Sequence, residues 1–325
     1  MKEIFVRDAE RLENQTITTS FLVVNKQLKP KKTGEPYLDL LLTDNSGQLP
    51  AKMWDNVTEA SARFEVDDVI KVSGVFGLYN KRWQFTIRRI EGKIPESEID
   101  FGDFLPKTGK DIDAMWAELQ ATVAALGNPH LKSLLGAFLG DEEIARGYRN
   151  APAAKTMHHA FIGGLLEHVV SLCNIAKRVA PNYPNVDLDL LLAGVVLHDI
   201  GKVKELTYAR SFSYTTEGQL LGHMMIELDM LRAKVATVAD FPPKLLILLE
   251  HLIISHHGQY AFGSSKLPMF PEALLLHYLD DMDSKMEAMR AQIESGQESG
   301  SEWAGYNRTL ERSVLNRKKF LDSAE

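Results

Sequence analysis

His198 and Asp199 stand side by side at the end of the oily run LLLAGVVL, in the segment LLLAGVVLHDIGKVKEL. Other histidines recur in similarly apolar contexts: His168 in GLLEHVV, His223 in LLGHMMI, and His256 with His257 in IISHHGQY. An acid follows in LLHYLDDMDSK at Asp280. One histidine on an apolar helix is usually a satisfied core or capping residue. Several together are costly to bury, because each imidazole carries a donor and an acceptor that need partners. A shared metal ion removes that cost, since neutral imidazole and carboxylate are good ligands for Mn, Fe, Zn and similar divalent ions.

The neighbours of these residues carry expectations of their own. Lys202 follows Asp199 by nearly one helical turn and shares its face, within reach of a phosphate or an attacking water. A solvated lysine is the alternative. Adjacent helical residues point about 100° apart, so His256 and His257 can meet one ion only if the helix ends there. Gly258 would allow such an end. His158 and His159, in KTMHHAFIGG, suit either a substrate phosphate or the polar start of a helix. His251 faces away from His256 and is expected in the core or at the surface. The sequence contains no P-loop, dinucleotide fingerprint or nucleophile elbow.

A scaffold must bring these distant residues together. The 325 residues are 45% hydrophobic and 25% charged, an ordinary composition with room for two domains. No apolar run reaches the roughly 18–20 residues of a membrane span, and the charged start MKEIFVRDAERLENQ is not a signal peptide. Cys173 is the only cysteine, which excludes an internal disulfide and a cysteine-rich zinc site. It reads as a small buried hydrophobe, and the whole suits the cytoplasm. The net charge of −7 argues weakly against a protein that coats duplex nucleic acid, while leaving room for a local basic groove.

Residues 1–95 read as strands and turns: ITTSFLVVNKQLK, YLDLLLTD, LPAKMWD, DVIKVSGVFGLYN and RWQFTIRRIE, separated by clusters such as KPKKTGEP and NSGQ. The phrases DNSGQLPAKMW and DDVIKVSGVFGLYNKRWQFTIRRIE resemble an OB-fold, a small barrel that often binds oligonucleotides. Single strands are held by aromatic stacking beside basic residues. The loop-like KQLKPKKTG and YNKRW therefore mark Lys31, Lys32, Tyr79, Lys81, Arg82 and Trp83 as contacts, together with Trp54. Some barrel aromatics must instead form the core. Residues 96–110 read as a linker. From KDIDAMWAELQATVAAL to about residue 290 the apolar spacing is helical, with Asp111 or Asp113 as the first cap. Residues 291–325 read as a partly flexible tail that ends in the basic, helical segment RTLERSVLNRKKF. The expected fold is multi-domain, β then α: an OB-fold barrel followed by an all-α domain.

The order His…His-Asp…His…His-His…Asp resembles the HD superfamily of metal-dependent phosphohydrolases. HHAFIGGLLEHVVSL, EGQLLGHMMI, SHHGQYAFGS and LLHYLDDMDSKM, behind such a barrel, look like the YhaM-type 3′–5′ exoribonucleases over nearly all of the chain. The resemblance implies two divalent ions, Mn foremost, with Fe, Co, Zn and Mg as alternatives. It assigns His168 to one ion, whose shell Asp280 closes with Asp281 and Asp283 as rivals, and puts the His198–Asp199 pair at the centre. It assigns His223 and His256 to the other ion, with His257 beside them, and Asp199 to both. Asp199 and Lys202 would be the catalytic side chains, and His158 and His159 substrate contacts. Two ions roughly 3.5–4 Å apart suit phosphodiester hydrolysis. The implied function is 3′–5′ hydrolysis of single-stranded RNA to nucleoside monophosphates, with single-stranded DNA left open as a further substrate. Two other readings stand beside it: an HD phosphodiesterase or nucleotidase for a small nucleotide, and a non-catalytic nucleic-acid-binding replication accessory protein. The barrel weighs against the first and the full ligand set against the second. Single-stranded nucleic acid is the expected partner, a homo-oligomer is left open, and no membrane is expected.

Overall fold

The computed structural model describes residues 2–31, 33–79, 82–154, 159–207, 212–295 and 301–322. The chain forms two compact units, the first running to Lys107 and the second starting at Thr108.

The first unit is a closed barrel of β1 (Thr16–Pro30), β2 (Pro36–Asp44), β3 (Gly47–Met53), β4 (Val69–Tyr79) and β5 (Arg82–Lys93), with the short α1 (Val57–Ser61) after β3. The strand order is β1-β2-β3-β5-β4, which is the OB topology; β3 and β5 run parallel and the other pairs antiparallel. Alternate residues of each strand point inward, as the two-residue period requires. Phe21, Leu38, Leu40, Leu42, Leu49, Ala51, Ile70, Val72, Phe76, Phe85 and Ile87 fill the interior. Close packing sets local residue choice: a Cβ on Gly74 would lie 2.3 Å from the Thr86 carbonyl oxygen.

The expected linker is fastened to this unit over much of its length. It makes two short 3-10 turns, Glu96–Glu98 and Phe101–Asp103. Asn45 donates its backbone N–H to the Asp103 carbonyl (3.0 Å) and its side-chain amide to the Gly102 carbonyl (2.8 Å). The Lys2 backbone N–H donates to the Asp103 carboxylate (3.1 Å). Phe104 and Leu105 are buried. An aperiodic run rich in acids, proline and glycine hides such bonds, because each depends on a partner far away in sequence.

The second unit is helical. Its elements are α2 (Ile112–Ala124), α3 (Pro129–Leu139), α4 (Glu142–Asn150), α5 (Gly164–Val179), α6 (Leu188–Leu197), α7 (Lys202–Glu205), α8 (Thr216–Leu221), α9 (His223–Val235), α10 (Pro243–Ser255) and α11 (Pro271–Ser295). A two-residue pair, β6 (Leu206–Thr207) with β7 (Ser213–Tyr214), lies between α7 and α8. Asp111, Asn128, Asp141 and Asp187 cap α2, α3, α4 and α6 by accepting backbone N–H groups of the first turn. Asp111, rather than Asp113, is thus the first cap.

α6 is buried on every side from Leu190 to Leu197. It packs in one core with Leu165, Leu166, Val169 and Leu172 of α5, Leu249, Leu252 and Ile253 of α10, and Ala273, Leu276 and Leu279 of α11. A helix that is apolar all round belongs at the centre of a bundle. The oily run before His198 therefore serves to carry a polar pair into the interior.

The tail differs from expectation. α11 continues to Ser295, and β8 (Trp303–Asn307) pairs with β9 (Arg312–Leu315) in a hairpin. Only α12 (Arg317–Asp322) is helical in the basic segment. Ala304, Leu310 and Val314 pack on Ala288, Met289 and Ile293 of α11. Those apolar residues at the helix end need a cover, and the hairpin supplies it. Among the described residues no helix is long and apolar enough to cross a membrane.

Candidate metal centre

Each candidate ligand sits where a helix begins, ends or faces the core. His198 is the C-cap of α6, and Asp199, Ile200 and Gly201 turn the chain into α7. A Cβ on Gly201 would lie 2.3 Å from the His223 carbonyl oxygen, so glycine lets this turn meet the start of α9. His223 opens α9 just after Gly222, at φ +72°. His256 is the C-cap of α10, and Gly258 at φ +73° ends the helix. A Cβ there would strike the His277 ring at 2.2 Å. This helix end lets His256 and His257 turn toward one another, with rings 4.2 Å apart. Asp280 and Asp283, one turn apart on α11, face His168 of α5.

The second nitrogen of each imidazole shows what the first can do. Nδ1–H of His198 donates to the Val195 carbonyl (2.9 Å), that of His256 to the Ile253 carbonyl (2.6 Å), and that of His257 to the Phe262 carbonyl (2.7 Å). A carbonyl only accepts, so Nδ1 carries the proton and Nε2 presents a lone pair. His223 Nδ1 is held likewise by Glu205 (3.2 Å), which also accepts the His223 backbone N–H (2.9 Å). His168 Nδ1 is held by Asp283 (2.8 Å), whose other oxygen accepts the Ser171 hydroxyl (2.6 Å). Such outer partners orient metal-binding imidazoles.

Nε2 of His198, His223 and His256 is buried without a hydrogen-bond partner. All three converge on Asp199. His198 lies 3.5 Å from its Oδ2, and His223 and His256 lie 3.6 and 3.9 Å from its Oδ1. Asp280 Oδ1 is 3.1 Å from His168 Nε2 and 3.8 Å from His198 Nε2. Two ligand atoms about 2.1 Å from one ion lie roughly 3.0–3.4 Å apart, close to these separations. His168–His198–Asp280 and His223–His256–His257 each form a group whose donor atoms lie within 4.8 Å of one another. A third such group, His159–His168–Asp283, is joined by hydrogen bonds to Asp283. The donor set fits divalent cations.

The charges agree with this. Burial alone would raise Asp199, but the Lys202 ammonium holds its carboxyl well below the usual range. Asp280 is likewise held well below it, against the effect of burial, by His168. Burial and the neighbouring imidazoles push His256 well below the ordinary histidine value. Burial works against His168 as a cation, yet Asp280 and Asp283 raise it to about 9. Lys202 Nζ donates to Asp199 Oδ2 (2.7 Å). Burial opposes its charge, but the Asp199 carboxylate keeps the ammonium above its ordinary value.

Asp281, a rival of Asp280 in the sequence, is turned out and paired with Lys285 (2.7 Å). Asp283, the other rival, orients His168. His159 is buried, and its Nε2 lies 3.2 Å from Asp283. His251 accepts the Met269 N–H (3.1 Å) at the surface. Glu205, Ser171 and Glu227 escaped the sequence reading, since no periodicity links them to the histidines. Glu227 is fully buried, and burial with the nearby Asp199 charge raises its carboxyl well above the usual range. Asp283→Ala is expected to weaken metal binding about 10- to 100-fold by freeing the His168 ring. A competitive chelator titration measures this, and unchanged affinity would refute the role.

On the barrel, Phe21, Phe76 and Phe85 are core, whereas Tyr37 and Trp54 stack at 4.8 Å on its outside. Lys52 Nζ lies 5.6, 5.8 and 5.9 Å from the rings of Tyr37, Trp54 and Tyr79. Tyr79, Arg82 and Trp83 line a hollow with Pro50 and Gln84. Lys31 is engaged by Glu35 (3.4 Å) and Asp55 (3.9 Å). Lys32, Lys81 and His158 lie outside the described residues.

A family model for the HD domain matches residues 165–285. The 3′-5′ exoribonuclease YhaM of Bacillus subtilis (strain 168) is 38% identical over 261 residues, covering 80% of this chain and 82% of that protein. Its counterpart from Bacillus velezensis is 36% identical over 274 residues, covering 84% and 86%. An SSB domain from Synechococcus sp. aligns over 23% of this chain and 91% of its own at 17% identity, with a TM-score of 0.22, a likeness too slight to add to the barrel's own topology. With more than a third of residues shared over four fifths of both proteins, the chain belongs to the YhaM 3′-5′ exoribonuclease family.

Proposed function

We propose that the protein is a metal-dependent exonuclease that removes nucleoside monophosphates from the 3′ end of single-stranded RNA. The observation that carries this is the convergence of three buried, unpartnered Nε2 atoms on Asp199, each with its Nδ1 proton anchored elsewhere. In this reading His168, His198 and Asp280 hold one divalent ion, His223, His256 and His257 a second, and Asp199 serves both. Manganese is the foremost candidate. Ions held there would supply Lewis acidity toward a phosphate ester and lower the pKa of water. Lys202 holds Asp199 in place and sets a positive charge beside the group attacked. The single cysteine, buried Cys173, suits a reducing compartment such as the cytoplasm.

The barrel unit, proposed as residues 1–95 with the turns fastened to it, holds the strand; residues 111–290 carry the chemistry. Tyr37, Trp54, Tyr79 and Trp83 offer stacking faces, with Lys52 and Arg82 as cations beside them. Trp54→Ala is expected to raise the Kd for a long strand about tenfold and leave dinucleotide hydrolysis unchanged. Equal losses on both substrates would remove the barrel's role.

The deciding experiment incubates 5′-labelled and 3′-labelled single strands with Mn²⁺ or with EDTA. Metal-dependent release of mononucleotide from the 3′ end is the expected result. Tight binding without cleavage would instead mark an accessory protein, and hydrolysis confined to small nucleotides a nucleotidase.

A further inference from the structure

We propose that the loop from Gly258 to Gly263 is a stacking subsite for the base of the 3′-terminal nucleotide, with Tyr260 and Phe262 as its platform. The inference deepens the function proposed above and rests on it. The loop is tied to the metal-ligand candidates through one atom: the Phe262 carbonyl accepts the His257 Nδ1 proton at 2.7 Å. His257 in turn lies 4.2 Å from the His256 ring and 5.3 Å from the His223 ring. The backbone is held in a set shape. Gly258 and Gly263 both take positive φ, +73° and +89°, and the Phe262 and Gly263 N–H groups donate to Gln259 (3.1 Å) and Tyr260 (3.0 Å).

On this ordered turn the two aromatic side chains face solvent, Tyr260 63% and Phe262 59% exposed. Large apolar rings gain most from burial, so a rigid turn that presents two of them to water suits a ligand that covers them. Leu220, Leu221 and Met225, close to His223 in the chain, are also exposed. Two exposed rings on a turn tied to His257 match a base. The base of a nucleotide lies within a sugar's breadth of its phosphate, so a phosphate held by the histidines brings its base to their rim. Every base has a π-face, and stacking is therefore tolerant of sequence, as an exonuclease requires.

The test uses the full-length protein with Mn²⁺ and two strands of equal length, one ending in an ordinary 3′ nucleotide and one in an abasic 3′ residue. The readout is the rate of the first cleavage. The wild type is expected to prefer the base-bearing end by about 10-fold, within the range of roughly 5- to 150-fold that stacking supplies. The double variant Tyr260→Ala/Phe262→Ala keeps the Phe262 carbonyl and hence the His257 anchor. It should retain wild-type metal content and cut both ends at the wild type's abasic rate. Tyr260→Phe should restore discrimination relative to Tyr260→Ala. A wild type that cuts both ends equally well overturns the subsite while leaving the exonuclease reading intact. So does a double variant that still discriminates. A wild type that cuts neither strand removes the exonuclease reading, and the subsite with it.

Discussion

Asp199→Asn lowers metal-dependent hydrolysis at least about a thousandfold while leaving the affinity for single strands within a factor of about three. The size of the effect follows from where Asp199 stands. Its two oxygens face the Nε2 atoms of His198, His223 and His256, so both proposed ions depend on it. An amide has the shape of the carboxylate but no charge, and its NH₂ group turns donors toward cations. The Lys202 ammonium would also lose its buried counter-ion, which costs about 3–5 kcal/mol when one partner of such a pair is removed. The variant should therefore unfold at a lower temperature as well. Strand binding survives because the aromatic and basic surface of the barrel is built from other residues. The measurement is single-turnover cleavage at saturating Mn²⁺ beside a binding isotherm on the same strand. An Asn variant that cleaves within tenfold of wild type would show that Asp199 is not the centre of the site.

Removing metal should leave its mark on the pH dependence of stability. Without an ion, His168 is held protonated between Asp280 and Asp283, with its pKa raised from 6.5 to about 9. A raised folded-state pKa contributes stability that is fully present below about pH 6.5 and is lost as pH rises through 9. For His168 this amounts to ~3 kcal/mol across the window. Chelated protein should therefore weaken steadily between those pH values in isothermal denaturation. An ion must displace the Nε2 proton, so metal binding should release about one proton and tighten about tenfold per pH unit up to pH 9. The metal-loaded protein should lack the decline. An affinity for Mn²⁺ that is flat between pH 7 and 9 would rule out His168 as a ligand whose proton is displaced.

Much of this molecule is legible in its residues because the signals are local. Alternating apolar residues set the five strands, and Tyr79 and Arg82 flank the hairpin that YNKR suggests. Gly258 ends α10 where the adjacent histidines require an end. The choice among Asp280, Asp281 and Asp283 is of another kind. Asp280 and Asp283 share a helix face, so spacing cannot rank them. They part only because α5 brings the two nitrogens of His168 to different carboxylates. The tail shows the same limit: nothing local to EWAGYNRTLERSVL announces that Ala288, Met289 and Ile293 lack a cover.

The amino-acid order alone establishes the histidines and acids of the candidate site, the helix ends that carry them and the two-unit plan, because periodicity, caps and glycines act within a few residues. Which nitrogen of each imidazole keeps its proton, and which acid faces the ligand cluster, is settled by tertiary contacts, some linking residues more than a hundred positions apart. A hydrogen-bond partner is a matter of position in space, and position across such distances exists only once the helices have packed.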